Sequence, residues 1–524
     1  MTPTEPRVDP RPEPRVDLKA EPRVEPRAEL TERVHTGVPG LDAVLGGGLL
    51  RGGVYIVTGT PGTGKTLLAN QVAFAQAREG GRCLYVTLLA ESHARMMAYL
   101  RPLAFFDPER VPHDVYYVSA FRTLEEGGLA GLLELLRRET RQHGTRLLVL
   151  DGLIQAEETA GSAREFKKFV HELQTFSDLT RCTVLLLTHP HTPDVLPPGA
   201  GPQSPEQTMV DGILELRQQL GDGREAGARS LTVRKFRGSA TLPGSHLLSI
   251  RDSGVRVWPR LEACAPRTPP PGDGSARVHL GVPSLDAMLP EGVSAGSLTL
   301  VLGASGAGKT LLGLHFLAEG LARGEPGLLF NFEEPPLPLQ RKAQRLGLQL
   351  GEGFAHLWQA PVDDTLDALA ERLLEAVERL GTRRLVLDGL GGLQAAEGGA
   401  QRLGTFLPAL VQVLRHRGVT TLLTAPSSFA GATGAELPVL PAVSGLADNA
   451  VVLRLLEHHA HTRRLVSVLK VRDAGFDAAV REFRIGARGL EVSTPLEGSE
   501  ALLAGLTREP SLPAPGAESA PELP

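Results

Sequence analysis

Two octapeptides of the form G-x-x-x-x-G-K-T occur in this chain, one in each half: Gly59-Thr60-Pro61-Gly62-Thr63-Gly64-Lys65-Thr66 and Gly303-Ala304-Ser305-Gly306-Ala307-Gly308-Lys309-Thr310. Glycines in this pattern let successive backbone N–H groups curl around an anion. The lysine then reaches the outer phosphate oxygens, and the threonine hydroxyl coordinates Mg²⁺. Such a loop joins a buried strand to a helix, which confines each half to a strand–loop–helix start and points to bound ATP with Mg²⁺.

The surroundings repeat as well. Thr36-Gly37-Val38-Pro39-Gly40-Leu41-Asp42 precedes the first loop and Leu280-Gly281-Val282-Pro283-Ser284-Leu285-Asp286 the second. Apolar runs lead into both loops (Val54 to Val57; Leu298 to Leu302). A helical face follows, with Leu67, Leu68, Gln71, Val72 and Ala75 in the first copy, and Leu311, Leu312, His315, Phe316 and Glu319 in the second. Further strand-like runs lie at 83–88 and 328–332, 147–150 and 384–387, and 183–187 and 420–424. Strands separated by helical stretches predict βαβ units and a parallel sheet. The fold class is therefore α/β, with two tandem domains, each a mostly parallel sheet flanked by helices.

Charges alternate along residues 1–33, but the prolines between them remove ladder donors, so a disordered polyampholyte tail is expected. The two domains then span 34–258 and 277–495. Residues 259–276, which include Pro269-Pro270-Pro271-Gly272, read as a linker, and 496–524 as a second disordered tail. At 524 residues, 42% hydrophobic and 22% charged, the chain suits a multidomain globular protein. A net charge of −5 gives no bulk reason to expect nucleic acid. The three scattered cysteines fit reduced thiols, and no apolar run is long enough for a bilayer, so a cytoplasmic protein without membrane contact is expected.

Three further elements carry chemistry. Asp151 and Asp388 each end an apolar strand downstream of a phosphate loop, where a carboxylate would hold Mg²⁺ through water together with Thr66 and Thr310. Hydrolysis also needs a group to orient or deprotonate water. Asn331-Phe332-Glu333-Glu334 offers two adjacent carboxylates, whose mutual repulsion favours a base role for one of them. The first half reads Leu88-Leu89-Ala90-Glu91-Ser92, in which Glu91 is taken as the retained second glutamate and Ala90 as the replacement of the first. Finally, Lys235-Phe236-Arg237 and Lys470-Val471-Arg472 recur at matching places. Lys and Arg two apart on a strand share a face, and their distance in sequence from their own loop suggests fingers aimed at a neighbouring subunit's nucleotide.

With these residues in place, the chain resembles a double-domain member of the KaiC-like branch of the RecA superfamily, the circadian-clock KaiC family. The resemblance covers about Val34 to Val492. It rests on the T-G-V-P-G-L-D motif, both Walker pairs, F-E-E at 332–334, Leu446-Ala447-Asp448-Asn449 and the K-x-R fingers. It implies two tandem RecA-like P-loop ATPase domains, stacked homohexameric rings with ATP between protomers, and a paired-glutamate catalytic site. A signalling or timing role with a signalling protein partner, and serine/threonine autokinase activity, also follow from it. Where the family's second domain carries an adjacent Ser-Thr pair, this chain has Val443-Ser444-Gly445, so two-site cyclic phosphorylation is not expected and Ser444 is the single phosphosite candidate.

Two other functions stand beside this reading. A RecA/RadA-like DNA-dependent ATPase is disfavoured, because 189–209 and 425–447 contain no Lys or Arg to meet phosphate. An ATP-binding scaffold with an inactive first domain gains partial support from Ala90. His458, His459 and His461 read as a solvated hairpin tip rather than a metal site. His189 follows the strand after Asp151, where a polar group could sense a terminal phosphate; with Ala425 as its counterpart, that role is not the expected one.

Overall fold

The computed structural model describes residues 32–88, 93–190, 209–219, 227–268, 275–359, 365–397, 402–426, 445–458, 461–487 and 489–495. Each half is built on a nine-stranded sheet, and the two sheets have the same strand order. From edge to edge the first runs Val115–Ser119, Cys83–Thr87, Leu147–Asp151, Thr183–Thr188, Val54–Gly59, Gly212–Gln218, Arg229–Phe236, Ser245–Arg251 and Gly254–Trp258. The first six are parallel and the last three extend the sheet antiparallel. The second sheet repeats this with Phe354–Trp358, Gly327–Asn331, Arg384–Asp388, Thr420–Pro426, Leu298–Gly303, Asn449–His458, His461–Lys470, Arg481–Gly486 and Gly489–Pro495.

The central strands are apolar on both faces because helices cover both. In Val54–Gly59, Tyr55 and Val57 pack into the core beneath the helix Lys65–Arg78, while Val54 and Ile56 pack into the opposite core with the helices Phe121–His143 and Ala163–Thr180. The second half has the same two layers, its loop helix Lys309–Ala322 on one face and Leu366–Leu380 with Leu403–His416 on the other.

The lead-in motif is explained by contacts with the loop helix. Gly37, at φ 63°, lies so close to that helix that a Cβ would come within 2.2 Å of Ala75 Cβ; at Gly281, φ 82°, a Cβ would meet His315 O at 2.5 Å. The motif's aspartate closes the turn: Asp42 accepts from the Thr36 N–H and hydroxyl at 2.9 and 2.7 Å, and Asp286 from the N–H groups of Leu280 and Gly281 at 2.8 and 3.0 Å.

The segment read as a linker is docked over its first part. A short helix, Leu261–Cys264, packs on Leu403–His416, and Leu261 is buried in the second half's core. The last strand of the first half also touches the second: Arg256 and the Trp258 indole both donate to Glu371, at 2.7 and 3.1 Å. The histidine-rich segment is a hairpin, with His458 opposite His461; residues 459 and 460 lie outside the described residues. Among the described residues no cluster of three or more metal-ligating side chains occurs, and no helix is long and apolar enough to cross a membrane.

Candidate active sites

Both phosphate loops sit at the C-terminal ends of their parallel strands, each opening a helix whose first residue is the lysine. The residue before the helix is a left-handed glycine in both, Gly64 at φ 101° and Gly308 at φ 108°. A Cβ on Gly59 would lie 2.4 Å from Leu216 O, and one on Gly303 2.6 Å from Leu453 O, so the neighbouring strand leaves no room for a side chain there. Lys65 Nζ donates to Gly59 O and Thr60 O at 2.6 and 3.1 Å; Lys309 Nζ donates to Gly303 O and Ala304 O at 2.8 and 2.9 Å. Burial lowers the pKa of both lysines; the facing Asp151 opposes this in the first site, and Asp388 and Glu333 in the second.

The threonine and aspartate expected to hold Mg²⁺ lie together in both sites. Thr66 Oγ1 donates to Asp151 at 3.0 Å and Thr310 Oγ1 to Asp388 at 2.8 Å. A hydroxyl and a carboxylate at the mouth of a phosphate loop are the hard oxygen donors Mg²⁺ takes, so these residues fit the ion. Burial raises the Asp151 pKa, partly offset by hydrogen bonds from Tyr85 and Thr66 and by the charge of Lys65.

A second hydroxyl holds each aspartate, and here the copies differ. Thr424 Oγ1 donates to Asp388 Oδ1 at 2.6 Å, while Tyr85 OH donates to Asp151 Oδ2 at 2.8 Å. Neither residue stands out in the sequence. Thr424 closes an apolar run, and Tyr85 lies mid-strand with no signal that its ring reaches an aspartate on the neighbouring strand.

The glutamate pair is split in the second site. Glu333 and Glu334 line one cavity of about 700 Å³ with Lys309, Thr310, Asp388 and Thr424. Lys342 Nζ grips both Glu334 oxygens, at 2.6 and 2.8 Å, and Asn331 donates to the Glu334 carbonyl. Glu333 has no such tether. In the first site Ala90 and Glu91 lie outside the described residues. The strand before them ends in register with its counterpart, since Thr87 pairs with Asp151 as Asn331 pairs with Asp388.

The counterpart read for His189 is displaced by one residue. Asp151 pairs with Leu187 and Asp388 with Thr424, so His189 corresponds to Pro426, not Ala425. Its Nδ1 lies 3.4 Å from Lys65 Nζ and 3.3 Å from Gly59 O, beside the first loop.

The K-x-R pairs occupy matching positions, Lys235 opposite Ile213 and Lys470 opposite Ala450. The lysines lie mid-strand, level with Ile56 and Leu300, and the arginines at the sheet end away from their own loop. The N–H of Arg237 donates to Asp211 O, and Asp211 accepts from the N–H of Val54, the first residue of the strand that ends in the loop. Arg472, Asp448 and Leu298 repeat the arrangement. Five residue steps, about 17 Å, separate Val54, level with Arg237, from Gly59. Arg472 is half-exposed and pairs with Asp448 at 2.8 Å, and Lys470 donates to Ala447 O. Burial and the neighbouring Arg237 lower the Lys235 pKa. Ser444 lies outside the described residues.

A parallel sheet with a G-x-x-x-x-G-K-T loop and a strand-end aspartate holding the loop threonine defines a RecA-like P-loop nucleotide-binding domain, present here twice. The family model described as "ATPase: KaiC" matches residues 34–262 and 278–497, and the chain belongs to that family. It is similar to the circadian clock oscillator protein KaiC of Picosynechococcus, 25% identical over 500 residues, covering 90% of this chain and 92% of that one. The circadian clock protein KaiC3 of Synechocystis is also 25% identical, over 501 residues, covering 90% and 94%. KaiC of Synechococcus elongatus is 24% identical over 501 residues, covering 90% and 91%.

Proposed function

We propose that this protein is an oligomeric ATPase whose second site turns over ATP while its first site mainly holds nucleotide, and that it works as a signalling or timing switch with serine autokinase activity. One observation carries the unequal division. Glu333 shares a cavity with Lys309, Thr310 and Asp388, whereas the first half reads Leu88-Leu89-Ala90-Glu91, one glutamate where the second half has two. The clock role rests on the names of the relatives, and a hexameric ring on the resemblance together with the remote fingers.

In the second site the loop amides and Lys309 bind the phosphates, and Thr310 with Asp388 holds Mg²⁺. The ion, when bound, offsets the negative charge of the phosphates. Glu333 orients the attacking water or takes its proton, and Glu334 stays tethered to Lys342. Lys470 and Arg472 lie down the sheet from the loop that carries Lys309, two strands away, which suits fingers reaching the nucleotide of an adjacent copy.

The test is Glu333→Gln with Glu334→Gln, measured for both turnover and ATP binding. Turnover should fall by at least about a hundredfold, a loss of ~2.7 kcal/mol of transition-state stabilisation, with binding retained. Undiminished turnover would move hydrolysis to the first site. Incubation with γ-labelled ATP and site mapping reads the autokinase activity: label at Ser444 supports it, and an unlabelled chain that still hydrolyses ATP removes it.

A further inference from the structure

We propose that Tyr85 is the positioning residue that orients Asp151 toward Mg²⁺ in the first site, supplying the hydroxyl that Thr424 supplies to Asp388 in the second. The two aspartates occupy equivalent strand ends, and each accepts from its loop threonine. The ladder then shows what differs. Asp388 pairs with Thr424 on the next strand, and Asp151 at the same rung pairs with Leu187. Leucine has no hydroxyl to give, so the first site loses that hydrogen bond.

The replacement arrives from the other side. Tyr85 lies on Cys83–Thr87, the strand flanking Leu147–Asp151 opposite to Leu187, and its counterpart in the second half is Leu329. Its side chain is fully buried, with its ring against Tyr117 and its hydroxyl on Asp151 Oδ2 at 2.8 Å. Tyr117 is fixed in turn by donating to Asn70 at 2.7 Å, and Asn70 donates to Thr66 O at 2.8 Å. A tyrosine/leucine combination in one copy thus does the work of a leucine/threonine combination in the other.

The geometry of the two solutions is not identical. In the second site the hydroxyls fall on different oxygens, Thr310 on Oδ2 and Thr424 on Oδ1. In the first both fall on Oδ2, and Asp151 Oδ1 accepts no hydrogen bond among the described residues. A buried hydroxyl that holds a metal-binding carboxylate commonly matters about 10- to 100-fold in metal affinity. This inference concerns nucleotide holding in the first site and rests on the reading that this site binds Mg-ATP.

The experiment uses the full chain carrying Lys309→Ala, which silences the second loop, with a fluorescent non-hydrolysable ATP analogue titrated against Mg²⁺. Tyr85→Phe should raise the Mg²⁺ needed for half-maximal binding about tenfold, leaving metal-free nucleotide binding unchanged. Adding Leu187→Thr should bring the Mg²⁺ requirement back within about twofold, because it restores a hydroxyl where the second site has one. An unshifted Mg²⁺ requirement in Tyr85→Phe overturns the inference. So does a shifted requirement that Leu187→Thr fails to restore in protein of native circular dichroism. Absence of Mg-nucleotide binding in the Lys309→Ala parent overturns both this inference and the first site's role as a nucleotide holder. Absence of ATP turnover in the unmodified protein overturns only the ATPase reading.

Discussion

Glu262 and Arg402 are joined by two hydrogen bonds, Nε to Oε1 at 3.1 Å and Nη2 to Oε2 at 3.0 Å, across the junction between the two halves. Arg402 also donates to Asp367 at 2.6 Å, and Asp367 accepts from the Leu261 N–H, so one guanidinium ties together the docked helix and the start of Leu366–Leu380. Burial opposes the charge of Glu262, yet hydrogen bonds from Arg402 and Arg260 hold its pKa down to about 2. A carboxylate whose folded value lies below its ordinary value of 4.5 contributes stability that is complete above that value. The contribution is lost as pH falls toward 2. Arg402→Ala leaves the fully buried Asp367 without its cation and Glu262 with Arg260 alone, and should cost ~3 kcal/mol at neutral pH. Urea unfolding at pH 7 and pH 3 checks this. The variant should show a smaller loss on acidification than the unmodified chain, and equal losses would dismiss the pair as a stabilising contact.

The docked helix shows where sequence reasoning stops. Residues 259–276 read as a linker because prolines dominate their second part, and a four-residue helix with one buried leucine leaves no periodicity to find. The phosphate loops and strand-end aspartates were legible because their chemistry fixes both residue type and spacing, and the matching K-x-R positions because they recur. The glutamates were legible in the second half only. In the first, Glu91 lies outside the described residues. Tyr85 and Thr424 could not be read, because each acts across a strand boundary and both residue types are ordinary in a buried sheet. Lys342 was hidden for a similar reason, since a lysine eight residues beyond Glu334 reaches it only after the chain turns into the helix Pro336–Arg345.

Lys342 has a consequence of its own. Without it, Glu334 becomes an unpaired carboxylate beside Glu333 and the phosphates. Lys342→Ala should therefore lower kcat about tenfold, ~1.4 kcal/mol, with a smaller change in KM for ATP. Lys342→Arg should preserve the grip and most of the rate. Combining Lys342→Ala with Glu334→Gln should recover part of the loss, since the stranded charge is gone. Steady-state kinetics on the unmodified chain, these three variants and Glu334→Gln alone decide it, and purely additive losses would assign Lys342 a packing role.

The first glycine of each loop permits a comparison of the two sites. Gly59→Ala and Gly303→Ala both drive a methyl into a backbone carbonyl, of Leu216 and Leu453 respectively. Backbone cannot rotate away as a side chain can, so the loop itself must move. Each variant should weaken nucleotide binding at its own site by more than about tenfold, ~1.4 kcal/mol, and leave the other site's affinity within about twofold. Calorimetric titration that resolves two classes of site would show this. A single variant that weakens both sites equally would mean the two loops do not bind independently.

The placement of the fingers calls for a mixing experiment. Lys470 and Arg472 lie down the sheet from the second loop, Lys470 about 10 Å and Arg472 about 17 Å along the loop strand from Gly303, which suits fingers that complete a neighbour's site rather than the one that contains Glu333. A chain with Lys470→Ala and Arg472→Ala keeps its glutamates but offers no fingers; a chain with Glu333→Gln and Glu334→Gln keeps its fingers but lacks the base. Each alone should lose about a hundredfold or more of its turnover. When the two are co-assembled from dissociated subunits, some interfaces combine intact glutamates from one copy with intact fingers from its neighbour. Turnover should then rise well above that of either parent, toward about one quarter of the unmodified level for random equal mixing, because each interface draws its two halves independently. If the fingers served their own chain, no mixture could contain a complete site, and activity would remain at the average of the two parents.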